Sequence, residues 1–135
     1  MSSSIYTDGS SLGNPGPSGW SFCVLENNEE FFLSGGEEHS TNNRMELYSI
    51  IQALKYVKGT EYNIYSDSNL TINCAKKLWR RKTNIDLWEI YDEVSKNKKI
   101  NYIWVKSHNG NKYNEIVDKL ARKEANNKIN LLKKL

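Results

Sequence analysis

Ile5-Tyr6-Thr7-Asp8-Gly9-Ser10 reads as a short β-strand that carries a carboxylate to its last residue and then turns at a glycine. Ile5, Tyr6 and Thr7 are strand formers whose side chains alternate between faces, which leaves Asp8 where a strand meets a loop. Gly9 lets the backbone turn or be approached closely. A nearly matching phrase recurs at Ile64-Tyr65-Ser66-Asp67-Ser68. Two strands that each end in aspartate place a pair of carboxylates at one edge of a sheet.

The residues around these phrases predict what kind of sheet it is. Leu12 to Gly19 holds both prolines of the chain and is a loop by composition. Trp20 to Leu25 and Glu30 to Gly35 read as strands joined by a hairpin turn at Asn27-Asn28. The period then changes. Leu47, Ile50, Ile51, Leu54 and Val57 form the stripe of an amphipathic helix, with N-cap candidates in Ser40, Thr41, Asn42 and Asn43 and Gly59 as its stop. Glu46 lies on the line through Ile50, Ala53 and Val57, so its carboxylate is expected to face the sheet.

Tyr62 to Asp67 is the next strand, followed by a short helix from Asn69 to about Leu78. Leu87, Trp88, Tyr91 and Val94 mark another helix, capped by Thr83 or Asn84. Ile100 to Val105 is a last strand, Ser107 to Asn111 a polar loop, and Lys112 to about Asn127 a final helix. Val117, Ala121 and Ala125 point inward from that helix, with Asn114 and Asp118 one turn apart on a neighbouring line. The order β-β-β-α-β-α-α-β-α predicts an α/β fold with a five-stranded mixed sheet. Its first three strands run antiparallel, and crossovers set the last two parallel to the first. Ligands of such sheets gather at the carboxyl ends of the parallel strands, where Asp8 and Asp67 are expected.

The chain has 135 residues, 38% of them hydrophobic, enough for one domain spanning 1–135 with a core that needs no disulfide. The segment 126–135 either extends the last helix or frays. No apolar run is long enough to span a bilayer, and Met1-Ser2-Ser3-Ser4 lacks a signal-peptide layout, so a cytoplasmic protein is expected. Cys23 and Cys74 lack metal-site spacing and are expected as buried free thiols. The formal charge is +3, and Lys76-Lys77-Leu78-Trp79-Arg80-Arg81-Lys82 concentrates basic residues around an aromatic one. That mixture suits a phosphate backbone, although a basic run is also what a solvated helix face carries.

Asp8, Glu46, Asp67 and Asp118 all head towards one place. Clustered carboxylates repel one another, and a partly buried cluster is costly unless protonated or bound to cations. An all-oxygen ligand set suits Mg²⁺ or Mn²⁺ rather than zinc. Two such ions sharing a carboxylate could activate water and stabilise the leaving oxygen of a phosphodiester. Spacing alone leaves surface charges and a metal site both open. His108, in a polar loop, is either a solvated residue or a proton relay beside such a site.

In combination these residues resemble type 1 ribonuclease H of the small bacterial kind, nearly end to end from Ile5 to about Asn126. The matching motifs are Tyr6-Thr7-Asp8-Gly9-Ser10, Gly13-Asn14-Pro15-Gly16-Pro17, Thr41-Asn42-Asn43-Arg44-Met45-Glu46-Leu47, Ser66-Asp67-Ser68, Asn84-Ile85-Asp86-Leu87-Trp88, Trp104-Val105-Lys106-Ser107-His108, and Asn114-Glu115 with Val117-Asp118-Lys119-Leu120-Ala121. The resemblance implies the ribonuclease H-like fold and endonucleolytic cleavage of the RNA strand in RNA–DNA hybrids, leaving 5′-phosphate and 3′-hydroxyl ends. It implies two-metal catalysis with Mg²⁺, or Mn²⁺ as substitute, held by Asp8, Glu46, Asp67 and Asp118. His108 matches the family's active-site loop histidine. Asn14, Asn42 and Asn69 fall where the family contacts the minor groove, and Thr41, Ser68 and Asn84 match a pocket for a DNA-strand phosphate. Gly9 and Ser10 become the backbone against which the RNA lies.

Two departures stand out. Asn69 replaces a commoner glutamine, so its contact should be shorter or lost. The segment before Asn84 is only Lys77-Leu78-Trp79-Arg80-Arg81-Lys82-Thr83, where bacterial members carry a longer basic protrusion. Trp79, Arg80 and Arg81 are expected to supply a truncated handle, with weaker hybrid binding or steeper salt dependence. No added hybrid-binding module, obligate protein partner or dimer is expected. The competing classes are a binding module that has lost catalysis and a DNA-cutting nuclease of the same fold, such as a resolvase, transposase core or detached reverse-transcriptase domain. The complete acid set argues against the first and the asparagine-rich motifs against the second.

Overall fold

A computed structural model describes the backbone of residues 3–134 and the side chains of residues 3–129. Its elements are β1 (Ser3–Ser11), β2 (Gly16–Glu26), β3 (Glu29–Ser40), α1 (Asn42–Tyr56), β4 (Glu61–Ser66), α2 (Asn69–Ala75), α3 (Ile85–Ser95), β5 (Lys99–Trp104) and α4 (Lys112–Lys134). The strands form one sheet in the order β3-β2-β1-β4-β5. β1, β2 and β3 pair antiparallel, and β1, β4 and β5 pair parallel, as the alternation of periods predicts. Asn27 and Asn28 both take left-handed φ values, 55° and 62°, which a two-residue hairpin turn of the primed type requires and asparagine tolerates.

Because strand side chains alternate, β1 feeds a different core on each face. Ile5 packs with Leu47, Ile50, Ile51 and Leu54 of α1 and with Leu87, Trp88 and Tyr91 of α3. Tyr6 packs on the other face with Cys23 and with Val117 of α4. α4 lies directly on β2: a Cβ on Gly19 would come within 2.0 Å of the Ala121 carbonyl oxygen, so only glycine permits this approach. Ala121 and Ala125 are buried in that contact, and both cysteines are buried free thiols.

Several boundaries differ from the sequence reading. Asp8 is not the last residue of its strand, since β1 runs on to Ser11 opposite Ser18 of β2. What ends early is the parallel ladder, whose last pair is Tyr6 with Tyr65. Asp8 therefore sits just beyond the point where β1 loses β4, with β2 as its remaining sheet partner, and Gly9 continues the strand rather than turning it. Gly16 to Gly19 belongs to β2, with a register shift between Gly16 and Ser18. β3 continues past Gly35 and Gly36 to Ser40, because Trp20 covers Gly35 and the ladder with β2 carries on.

Gly59 does not stop α1. Val57 turns extended after the last helical residue, and Gly59 instead donates its N–H to the Tyr62 hydroxyl at 2.5 Å. α2 closes at Ala75, where Lys77 turns left-handed and the N–H groups of Leu78 and Trp79 both return to the Asn73 carbonyl. The segment 126–135 resolves towards extension: α4 stays helical to Lys134, and the Asn126 amide bonds back to the Arg122 carbonyl. Leu135, at the end of that segment, lies outside the described residues.

Candidate active site

The site begins with a glycine that lets a helix press on a strand. A Cβ on Gly9 would lie 2.4 Å from both the backbone nitrogen of Glu46 and the carbonyl carbon of Met45. No other residue allows the first turns of α1 to approach β1 this closely. The approach carries the Glu46 side chain to Asp8, and the Gly9 N–H donates to the Glu46 carboxylate. β4 ends at Ser66 and delivers Asp67 to the same spot. One carboxylate oxygen from each of Asp8, Glu46 and Asp67 lies within 4.8 Å of the others.

Burial makes this cluster electrostatically costly. Asp8 is 3% exposed and Glu46 7%. Desolvation, then the neighbouring charges of Glu46, Asp67 and Asp118, hold the Asp8 carboxyl well above the usual range. Burial pushes Glu46 up to about 8, against the opposing hydrogen bond it accepts from Asp8. The pair thus shares a proton when nothing else neutralises it. Asp67 is raised by burial and by Asp118, and is pulled back by a hydrogen bond from Ser107 and by the charge of His108. Glu46 Oε2 is buried with no hydrogen-bond partner. An orphaned carboxylate oxygen facing two more carboxylates matches a hard divalent cation, which takes oxygen ligands and supplies the missing positive charge.

Asp118 stands beside the three rather than among them. It is close enough for its charge to raise all three, but its carboxylate is paired with Arg122, one turn further along α4, at 2.5 Å. His108 is exposed in the loop before α4, with a left-handed φ of 56°.

The expected substrate contacts fall into two groups. Asn14 and Asn42 meet at the surface, where Asn14 Oδ1 accepts from the Asn42 backbone N–H at 3.0 Å. Thr41, Ser68 and Asn84 are the N-cap residues of α1, α2 and α3. Thr41 Oγ1 accepts from the Arg44 N–H, which leaves its own O–H free to donate. Asn84 makes no cap bond, and its Oδ1 accepts from Arg44, which also grips Asp86 through both carboxylate oxygens. Asn69 Oδ1 accepts from the Asn73 side-chain amide at 2.9 Å.

The basic handle needs a correction. Trp79 is 48% exposed, and Arg80 follows it on the surface. Arg81 is turned inward. Its guanidinium lies 4.2 Å from the centre of the Trp88 ring, both of its bonds to Asp92 are 2.9 Å long, and its Nε donates to the Cys74 carbonyl. Its charge is already neutralised, so it fastens the shortened segment to α3 instead of offering itself to phosphate. A cavity of about 630 Å³ opens beneath this segment, with Asn43, Leu47, Leu70, Trp79, Trp88 and Asn84 in its wall.

Three participants were not assigned from sequence. Arg122 carried a readable signal, standing four residues after Asp118 on a helix. Trp104 and Ser107 lie inside a quoted motif, but their partner Asp67 is nearly forty residues away in sequence. Nothing local could have disclosed them.

A mixed sheet with carboxylates collected where its parallel ladder ends, and a cation-shaped deficit among them, defines a metal-dependent nuclease class. Known proteins narrow the class: the RNase H family profile matches residues 1–126, and the chain belongs to that family. It is 43% identical to ribonuclease HI of Helicobacter pylori, over 93% of this chain and 94% of that one. It is 46% identical to a ribonuclease H of Campylobacter jejuni, over 90% and 89%. Among solved structures, the N-terminal ribonuclease H domain of rv2228c from Mycobacterium tuberculosis superposes with a TM-score of 0.88 at 24% identity, covering 98% and 99% of the two chains. LC11-RNase H1, solved in complex with an RNA/DNA hybrid, gives 0.81 at 18% identity over 94% and 99%. At those identities the structural likeness is one of fold. No described helix is long and apolar enough to cross a membrane.

Proposed function

We propose that this chain is an endoribonuclease that hydrolyses the RNA strand of RNA–DNA hybrids, with two divalent cations at the acid cluster, leaving 5′-phosphate and 3′-hydroxyl ends. The observation that carries the reading is the buried meeting of Asp8, Glu46 and Asp67 with an unpartnered oxygen on Glu46. Membership of the RNase H family and the hybrid bound to LC11-RNase H1 support the substrate class. Mg²⁺ is the proposed ion and Mn²⁺ its substitute, because every ligand is a carboxylate oxygen. Bound there, the cations would lower the pKa of water and stabilise charge on the leaving oxygen.

The remaining steps belong to side chains. Asp8, buried against both Glu46 and Asp67, is the proposed shared ligand. Asp118 completes the set by leaving Arg122. His108, whose charge is felt at Asp67, is the proposed carrier of a proton away from the site. Asn14 and Asn42 read the 2′-hydroxyl in the shallow minor groove, where an amide can both donate and accept. Asn69 adds a weaker contact, and the backbone at Gly9 and Ser10 lines the RNA strand. Thr41 and Asn84, with Ser68, register the duplex through a DNA-strand phosphate. Trp79 and Arg80 form what remains of the handle. The enzyme is proposed to act as a cytoplasmic monomer formed by one domain over residues 1–135.

Labelled hybrid, duplex DNA and duplex RNA, each incubated with Mg²⁺ or Mn²⁺, test the reading. Cleavage confined to the RNA of the hybrid is expected. Cutting of duplex DNA, or binding of hybrid with no cutting, would refute it.

A further inference from the structure

Trp104 ends β5 with half its surface, 52%, in solvent. Core packing does not explain an indole so placed. Its one polar group is engaged, however: Nε1 donates at 3.1 Å to the backbone carbonyl of Asp67. A solvent-exposed hydrogen bond of this kind has little effect on stability, so its main effect is orientation. The strand holds the same turn at a second point, since the Val105 N–H donates to the Ser66 carbonyl at 2.9 Å. Two residues on, the Ser107 side chain lies near enough to the Asp67 carboxylate to lower its pKa. Asp67 follows the last residue of β4 and precedes the N-cap of a seven-residue helix, and the N–H of the same peptide unit, that of Ser68, donates to Ser66 Oγ at 3.1 Å.

We propose that Trp104, through its bond to the Asp67 backbone carbonyl, is a positioning residue that with Ser107 beside the carboxylate clamps Asp67 so that its free oxygen is aimed at the cation site. This rests on the reading of Asp67 as a metal ligand. Partners of this kind around a ligand fix its orientation, and their loss commonly weakens metal binding by about 10–100-fold. The clamp also joins the ligand to the loop of His108, because Ser107 is its neighbour in the chain.

The test is Mn²⁺ affinity of the full chain without nucleic acid, read from the electron paramagnetic resonance of the free ion. Trp104→Phe, Ser107→Ala and Ser107→Thr are compared with wild type, and hybrid KM and kcat are measured at saturating Mn²⁺. Trp104→Phe keeps an aromatic ring and loses the donor. It is expected to weaken Mn²⁺ binding about tenfold while hybrid KM stays within about twofold. Ser107→Ala should weaken binding by several-fold, and Ser107→Thr should restore most of it. Unchanged Mn²⁺ affinity in both Trp104→Phe and Ser107→Ala overturns the proposal, as does a raised KM alone, which would make Trp104 a surface on which substrate stacks. A wild type that binds Mn²⁺ and a Trp104→Phe variant that binds it poorly, with hybrid left uncut by both, supports the clamp and refutes only the hybrid-cleavage reading.

Discussion

Gly9 is the residue on which the site's geometry turns, through closeness rather than flexibility. A methyl group at that position would collide with the backbone of α1 at 2.4 Å, so the helix would have to move. Gly9→Ala is expected to cost about 1–3 kcal/mol in thermal or denaturant unfolding. It should also cut activity by about 100-fold or more, because Glu46 is carried away from Asp8. Asp8→Asn should have the opposite effect on stability. It removes a buried carboxyl whose neutral form the fold prefers, so the metal-free protein should unfold at a higher temperature than wild type near neutral pH while activity is lost. A variant that loses both stability and activity would argue that Asp8 is structural. Glu46 was legible from sequence because a carboxylate on the inward line of a helix is conspicuous. Gly9 was legible only as a permissive residue, since the element that fills its missing side chain comes from α1.

At the scale of elements, the shortened segment between α2 and α3 divides its two arginines between different tasks. Arg81 is fixed to Trp88 and Asp92, and Arg81→Ala should destabilise the fold by about 1–3 kcal/mol through lost cation–π and hydrogen-bond contacts. Arg80→Ala should leave unfolding within about 0.5 kcal/mol of wild type and lower the slope of log affinity against log salt by about one. Equal effects of the two substitutions on hybrid binding would contradict this division. The run Lys76 to Lys82 reads as one basic stretch around Trp79, and the side-chain partners of Arg81, Trp88 and Asp92, lie on a helix that begins after it, so the inward turn of Arg81 could not be seen in the run itself. The sheet was more legible. Its order and directions follow from the alternation of strand and helix periods, whereas the end of the parallel ladder depends on where β4 stops, which β1 alone does not encode.

The whole molecule carries the cost of the cluster in its pH dependence. Glu46, at about 8, and Asp8 and Asp67, also raised, bind protons in the folded state that the unfolded chain has released. Stability of the metal-free protein should therefore fall as pH rises from the ordinary carboxylate range through about 8. Asp86 works in the other sense. Arg44 beside it holds its carboxyl down at about 2, so that contribution disappears only in acid, below the window in question. Thermal unfolding from about pH 5 to 9 should show the decline without divalent ions and a flatter profile with Mg²⁺, which binds only the folded cluster. Profiles that coincide with and without Mg²⁺ would count against cation binding at these acids.

Cleavage of a labelled RNA–DNA hybrid by Asp67→Asn beside wild type, in saturating Mg²⁺ and with folding checked by circular dichroism, tests the central claim most directly. The substitution keeps the shape of the side chain and the backbone bond from Trp104 but removes the ligand charge. Wild type should cut only the RNA strand, and the variant should fall by about 100-fold or more while still binding hybrid. Cleavage by the variant at the wild-type rate would contradict the account.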